Sequence, residues 1–207
     1  MSDLTDTSKQ SDKPMEHSLA GKLLIAMPNM GDARFHKAVI FVCAHDENGA
    51  MGLVINQTLP GLGLSELLEK AELFEKMDIT KDILSSLKDT PVMSGGPVET
   101  ERGFILHQSD FHQNDTIVIN DEFSVTGTID ALKALALGEG PQDMLFMLGY
   151  AGWSAEQLEA EIQQNAWLMC DADKEIVFEG SASQKWEQAI ETLGFDPGML
   201  SAQAGNA

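Results

Sequence analysis

The stretch AVIFVCAHDENGAMGLVIN, residues 38–56, decides how the chain folds. Two runs rich in apolar and β-branched residues, 38–45 and 50–56, flank Asp46-Glu47-Asn48-Gly49. Runs of this composition form strands. Asn-Gly between two of them is a strong hairpin signal, because both residues tolerate a positive φ. The spacing predicts two antiparallel neighbours near the start of a β-rich body.

Working outward, KLLIAM (22–27) reads as a strand before the hairpin, and MPNMGDARF as a loop in which Asp32 bonds local backbone amides. Downstream, PVMS and GFILH flank a glycine-proline turn at 95–97. TIVIN (116–120) and EFSVT (122–126) turn at Asn120-Asp121, and WLMC with EIVFE reads as a further hairpin around Asp171–Lys174. DMLFMLGY (143–150) is apolar without alternation, which predicts a central strand buried on both faces. Helical spacing appears in four places. Residues 57–90 form a helical excursion: TLPGLGL is a loop, SELLEKAELFEKM puts Leu67, Leu68, Ala71 and Phe74 on one face with Ser65 as N-cap, and KDILSSLKDT adds a short second helix. IDALKALAL is capped by Thr126 or Thr128 and stopped by Gly138 and Pro141. AGWSAEQLEAEIQQNAW carries the capping-box pair Ser154 and Gln157, and SQKWEQAIETLG places Trp186, Ala189, Ile190 and Leu193 on a core face. Strands interrupted by single helices, with hairpin turns, predict the α+β class. The 207 residues suit a single domain over 19–196, between a disordered tail (1–18) and a flexible end (197–207).

The chain holds 33 acidic against 13 basic residues, a formal net charge of −20. Nucleic-acid binding draws much of its affinity from Lys and Arg on phosphates, so direct DNA or RNA binding is disfavoured. The polar N-terminus lacks the apolar stretch of a signal peptide, and the longest apolar run, 38–44, is too short to span a bilayer. Cytoplasmic placement without membrane contact is the expectation. Cys43 and Cys170 read as reduced, buried thiols.

Catalytic signatures fail on inspection. Gly21-Lys22 lacks the earlier glycine of a phosphate-binding loop, and Gly61-Leu62-Gly63-Leu64-Ser65-Glu66 has Glu where the third dinucleotide-loop glycine belongs. Asp171, Asp173 and Glu175 begin like a calcium loop, but Ile176 stands at the bend glycine. Ser154 sits between a strand and a helix without the second glycine of a nucleophile elbow, and a cap explains it. Cys43 and His45, two apart on a strand, face the same way but have no third ligand. No cofactor and no metal are predicted. What remains is a set of turns at strand ends, Pro28, Gly31, Gly95, Gly96, Pro97, Gly149 and Gly152, whose backbone amides could line an anion pocket beside Arg34 or Arg102. His107 joins them as a candidate base or a satisfied structural histidine.

The segments GKLLIAMPNMGDARF, HDENGAMGLVIN, SGGPVETERGFILH and GYAGWSAEQLEAEIQQNAW, in this order over roughly residues 20–170, resemble the AlgH/YqgE family of bacterial proteins. One departure is Ala33, where the family often has proline. The resemblance implies a single domain with a strongly bent, barrel-like, mainly antiparallel sheet and helices packed outside. It implies a transcriptional regulator linked genetically to alginate control, and no agreed catalytic residues. Two readings follow. One is a non-enzymatic regulatory protein that acts indirectly through a protein partner, with a surface around Arg102 and Trp153. The other is a small-ligand-binding protein or weak enzyme whose glycine-lined pocket gathers Arg34, Arg102 and His107. A direct DNA-binding regulator is a third, set back by the charge.

Overall fold

A computed structural model describes residues 18–70, 85, 87, 88, 90–127 and 129–202. Its ten described strands join one sheet. The opening hairpin is there: β2 (Val39–Asp46) pairs antiparallel with β3 (Gly49–Val54), after β1 (Lys22–Ala26). Its turn differs in detail. Asp46 pairs with Gly49, so the loop is Glu47-Asn48, and neither carries a positive φ. Gly49 is instead the first strand residue, where a Cβ would lie 2.1 Å from the Trp153 carbonyl oxygen. Asp46 closes the turn by accepting the Asn48 amide at 2.7 Å.

The next elements are β4 (Thr58–Gly63), α1 (Leu64–Lys70), β5 (Pro91–Ser94) and β6 (Val98–Gln108). Then come β7 (Ile117–Val118), β8 (Phe123–Thr126), α2 (Ile129–Ala136) and β9 (Met144–Ser154). The chain ends with α3 (Gln157–Gln163), β10 (Trp167–Asp171), α4 (Lys174–Phe178), α5 (Lys185–Thr192) and α6 (Pro197–Ala202).

β9 organises the sheet. It pairs with β6 along one side, and on the other with β5 in parallel at Phe146–Leu148 and with β3 at Ala151–Ser154. The residues that flank Gly95-Gly96-Pro97 therefore do not form a hairpin: β5 and β6 lie on opposite sides of β9, and the glycine turn carries the chain across it. That crossing explains the glycines. A Cβ on Gly95 would stand 2.3 Å from the Gly149 carbonyl, and one on Gly149 would stand 2.5 Å from the Gly96 carbonyl. Gly149 has φ +73, and the side chains flip there: Met147 and Tyr150, three apart, both join the inner core. Opposite it the register of β6 against β9 shifts between Val98 and Gly103, with the extra residues on β6.

Phe41 on β2 and Phe123 on β8 touch at 5.0 Å between ring centroids, although three strands separate them in the sheet order. The sheet must therefore curl over the face that carries both. This concave face holds the main core, and α4 and α5 cover its β1–β2 end with Ile176, Val177, Trp186 and Ile190. The convex face carries two smaller cores. One lies beneath α1 and α2 around Leu64, Ile105 and Phe146, and the other lies beneath α3 around Ile40, Trp153 and Trp167.

Several sequence expectations change. TLPGLG is a strand, β4, paired with β5; Pro60 is tolerated because β4 is an edge. Ser65 lies inside α1 rather than before it, and Thr126 is a strand residue rather than a cap. Ala71, Phe74, Thr128 and most of the helix predicted over 81–90 lie outside the described residues. EIVFE is a helix, α4, because Asp173 caps it by accepting the Glu175 amide at 2.7 Å. WLMC pairs with β1 instead. The end of the chain, expected as flexible from 197, forms α6 as far as Ala202.

Two polar devices lock the helices. Glu161 accepts both indoles beneath α3, from Trp153 at 2.9 Å and Trp167 at 2.7 Å. Lys185 is only 2% exposed, and its ammonium donates to the carbonyls of Ile176 (2.6 Å), Val177 (3.0 Å) and Glu179 (2.7 Å), closing the C-terminal end of α4. Burial pushes its pKa down to about 8, while the three carbonyls favour the ammonium, so it is charged at neutral pH. Lys185→Met keeps the volume and leaves three carbonyls without their donor. It is expected to cost about 2–4 kcal/mol, read from urea unfolding.

Candidate functional site

A groove of about 800 Å³ opens on the concave face beyond the part filled by α4 and α5. One bank is the β2–β3 hairpin, with Ala44, Asp46 and Asn48; the other is the segment Asp115, Ile117 and Ile119. Between them the floor is Met51, Phe104, Val125 and Tyr150. Phe104 and Tyr150 meet edge to face at 6.0 Å, which makes the floor firm and apolar.

Of the residues expected at the site, three line this groove: Arg102, Gly152 and Trp153. Arg102 lies over the Phe104 ring at 5.1 Å and donates to Glu99 at 3.0 Å. Gly152 leaves room beside the Tyr150 ring, where a Cβ would approach within 3.3 Å. The Trp153 indole belongs to the convex core under α3, so it supports the groove wall and is no exposed contact surface.

The others sit elsewhere. Gly95, Gly96 and Gly149 are spent on the strand crossing. The Gly95 amide donates to Leu148 at 2.8 Å and its carbonyl accepts from Val54 at 2.9 Å, so that amide is not open to an anion. Pro97 closes the same turn. Arg34 lies on a surface 3-10 turn, Ala33–Phe35, where Asp32 caps the backbone and holds the guanidinium through two carboxylate oxygens at 3.0 and 2.6 Å. That carboxylate raises the Arg34 pKa, and the guanidinium holds the Asp32 carboxyl below its usual range.

His107 is fully buried. Its Nδ1 donates to the Gln108 carbonyl at 2.6 Å, so Nε2 accepts from the Thr126 hydroxyl at 2.9 Å. Thr126 in turn accepts from Thr116 at 2.8 Å, and Thr116 accepts the Gln113 amide at 2.8 Å. The network satisfies a neutral imidazole completely, so His107 is the structural histidine of the two alternatives. The convergence of Arg34, Arg102 and His107 on one pocket is overturned.

Burial pushes the His107 pKa below 6.5, against smaller opposing contributions from the Gln108 carbonyl and Asp110. The unfolded chain therefore binds the proton more readily than the folded one. Stability linked to His107 is fully present above about 6.5 and is lost as pH falls toward the folded value. As pH drops below about 6.5, denaturant midpoints should fall more steeply for the wild type than for His107→Gln, with a difference in slope of at most one proton.

Cys43 and His45 do not share a face. Cys43 stays on the concave side with Val39 and Phe41, and the bulge between Val42 and Ala44 shifts the alternation beyond it. His45 points the other way, where Nδ1 accepts the Leu19 amide at 3.1 Å and Nε2 donates to Glu159 at 2.7 Å. Both cysteines are free, and burial pushes both thiols up. Among the described residues, no group of three or more His, Cys, Asp or Glu is placed to hold a metal ion, and no helix is long and apolar enough to cross a membrane.

Sequence reasoning missed the groove banks, Ile117 and Ile119 on one side and Ala44 and Asp46 on the other. Ile117 is 60% exposed, and no local pattern reports exposure.

Fold and groove together define a small α+β domain with a curled, mainly antiparallel sheet and a cleft on its concave face. The chain belongs to the AlgH-like family, DUF179, which it matches over residues 23–198. A UPF0301 protein of Rhodopseudomonas palustris (strain HaA2) is 49% identical over 192 residues, 91% of this chain and 87% of the relative. A UPF0301 protein of a Bradyrhizobium strain is 50% identical over 190 residues, 91% and 88% of the two chains. The solution structure of AlgH from Pseudomonas aeruginosa superposes with a TM-score of 0.74 at 41% identity, covering 97% of this chain and all of that one. A Corynebacterium diphtheriae protein shares the fold at a TM-score of 0.63 and 17% identity, covering 87% of this chain and 88% of that one.

Proposed function

We propose that the chain is a non-enzymatic regulatory protein of the cytoplasm, and that it acts indirectly by holding a protein partner in the concave groove. The groove itself carries this reading. An apolar, aromatic floor of Phe104 and Tyr150, between banks that mix Asp46, Asn48 and Asp115 with Ile117 and Ile119, is the anatomy of a binding surface, an apolar centre with polar groups at its rim. The −20 charge favours a partner over nucleic acid. A second reading rests on volume. About 800 Å³ is within the range of small-molecule sites, roughly 300–1,000 Å³, so a small organic ligand is the competing occupant.

The test is site-specific photocrosslinking in cells. A photoreactive residue replacing Ile119 or Met51 is expected to trap one discrete protein, and the same probe at Met169, on the far sheet edge, is not. Tyr150→Ala in the same background should reduce the yield about tenfold or more. Equal labelling from Met169, or a small molecule co-purifying with the wild type and lost with Tyr150→Ala, would overturn the partner reading.

A further inference from the structure

We propose that the groove's occupant is an extended peptide segment that adds to the sheet at β7, with apolar side chains alternating with Lys or Arg. This rests on the reading of the groove as a partner site and specifies what enters it.

Among the described residues β7 has one strand neighbour, β8. The Ile119 amide donates to the Phe123 carbonyl, and Ile117 pairs with Val125. The alternation of an antiparallel ladder then turns the N–H and C=O of Val118 to the outer edge. Both side chains there are exposed apolar groups, Ile117 at 60% and Val118 at 57%. An open edge with unpaired backbone groups and exposed β-branched side chains is a template for a further strand. Neither residue of this short edge is charged or proline, so no side chain there opposes a further strand.

The surroundings select the peptide's chemistry. Ile117 forms a groove bank, so a strand beside β7 lies along the groove and directs alternate side chains toward Phe104 and Tyr150. The hairpin bank carries Asp46, and the groove's arginine, Arg102, is paired with Glu99. The residual field of the rim is negative, in a chain of net charge −20, which attracts cationic side chains on the peptide's solvent-facing positions.

The probe is a short acetylated peptide in which valine alternates with lysine, titrated into the full chain and followed by NMR and amide hydrogen exchange. Binding is expected to shift the signals of Met51 and Phe104 and to slow exchange of the Val118 amide. Three changes should each weaken binding about tenfold: N-methylation of the peptide backbone, glutamate in place of its lysines, and Val118→Pro. Val118→Pro removes the outward donor without touching the ladder to β8, and proline is tolerated on such an edge. If that variant unfolds, the N-methylated peptide gives the same test on the wild type. Floor shifts without Val118 protection would overturn strand addition and leave the groove reading standing. Equal or tighter binding of the glutamate peptide would overturn the charge assignment. No binding at millimolar peptide would overturn strand addition outright, and crosslinking from Ile119 then decides the groove reading separately.

Discussion

Gly96→Ala is expected to prevent folding to the native state. Gly96 adopts φ +151, a conformation that side-chain-bearing residues rarely take. Its added Cβ would fall 2.1 Å from the Tyr150 carbonyl carbon and 2.4 Å from the Ala151 nitrogen. Those atoms are backbone of the central strand, held by β3 and β6, so neither can move aside without breaking ladder bonds. Steric overlap and backbone strain together should exceed about 4 kcal/mol, a large share of a domain's stability. Circular dichroism and solubility on expression read the result. Gly31→Ala is the control, since no atom lies within 4 Å of its added Cβ, and it should change stability by no more than about 0.5 kcal/mol. A folded, soluble Gly96→Ala protein with wild-type unfolding would show that the crossing over β9 is not as tight as described.

Trp186→Ala is the second large loss. Trp186 is 1% exposed and is among the largest buried side chains of the concave core. Its indole donates to the Ala26 carbonyl at 2.8 Å, tying α5 to the end of β1, and the Lys37 ammonium lies 4.8 Å from the ring. Removing it opens a cavity and strands a buried carbonyl, for about 3–5 kcal/mol. Trp186→Phe restores part of the volume but not the donor, and should lose about half as much. Urea midpoints at constant m-value measure both. The loss should also release α5 from the concave face, exposing the groove's closed end, so a dye that binds apolar surface should bind the Ala variant more strongly.

Elements with strong local signals were legible. The KLLIAM strand, the 38–56 hairpin, the doubly buried 143–150 strand and the α5 core face all lie where their patterns put them. Residues 175–179 were not. Glu-Ile-Val-Phe-Glu is short and β-branched, and its length suits a strand as well as a helix turn. Asp173 decides it by capping, and Ile176 and Val177 then find the inner core. The candidate site was legible in part. Arg102 and Gly152 reach the groove, whereas Arg34 is spent on Asp32 and His107 on Thr126. Sequence marks a polar residue as capable of chemistry but does not report whether a neighbour distant in the chain already satisfies it.

By itself the sequence determined the fold class, the family and the net acidity, because periodicity, motif order and charge are properties of neighbouring residues or of the whole chain. Tertiary structure alone decided that Gly95, Gly96 and Gly149 serve a backbone crossing, that a bulge parts Cys43 from His45, and that curling the sheet brings Ile117 across from Asp46 to form a groove. Each of these depends on contacts between segments tens of residues apart, and a register shift of one residue reverses which face a side chain serves.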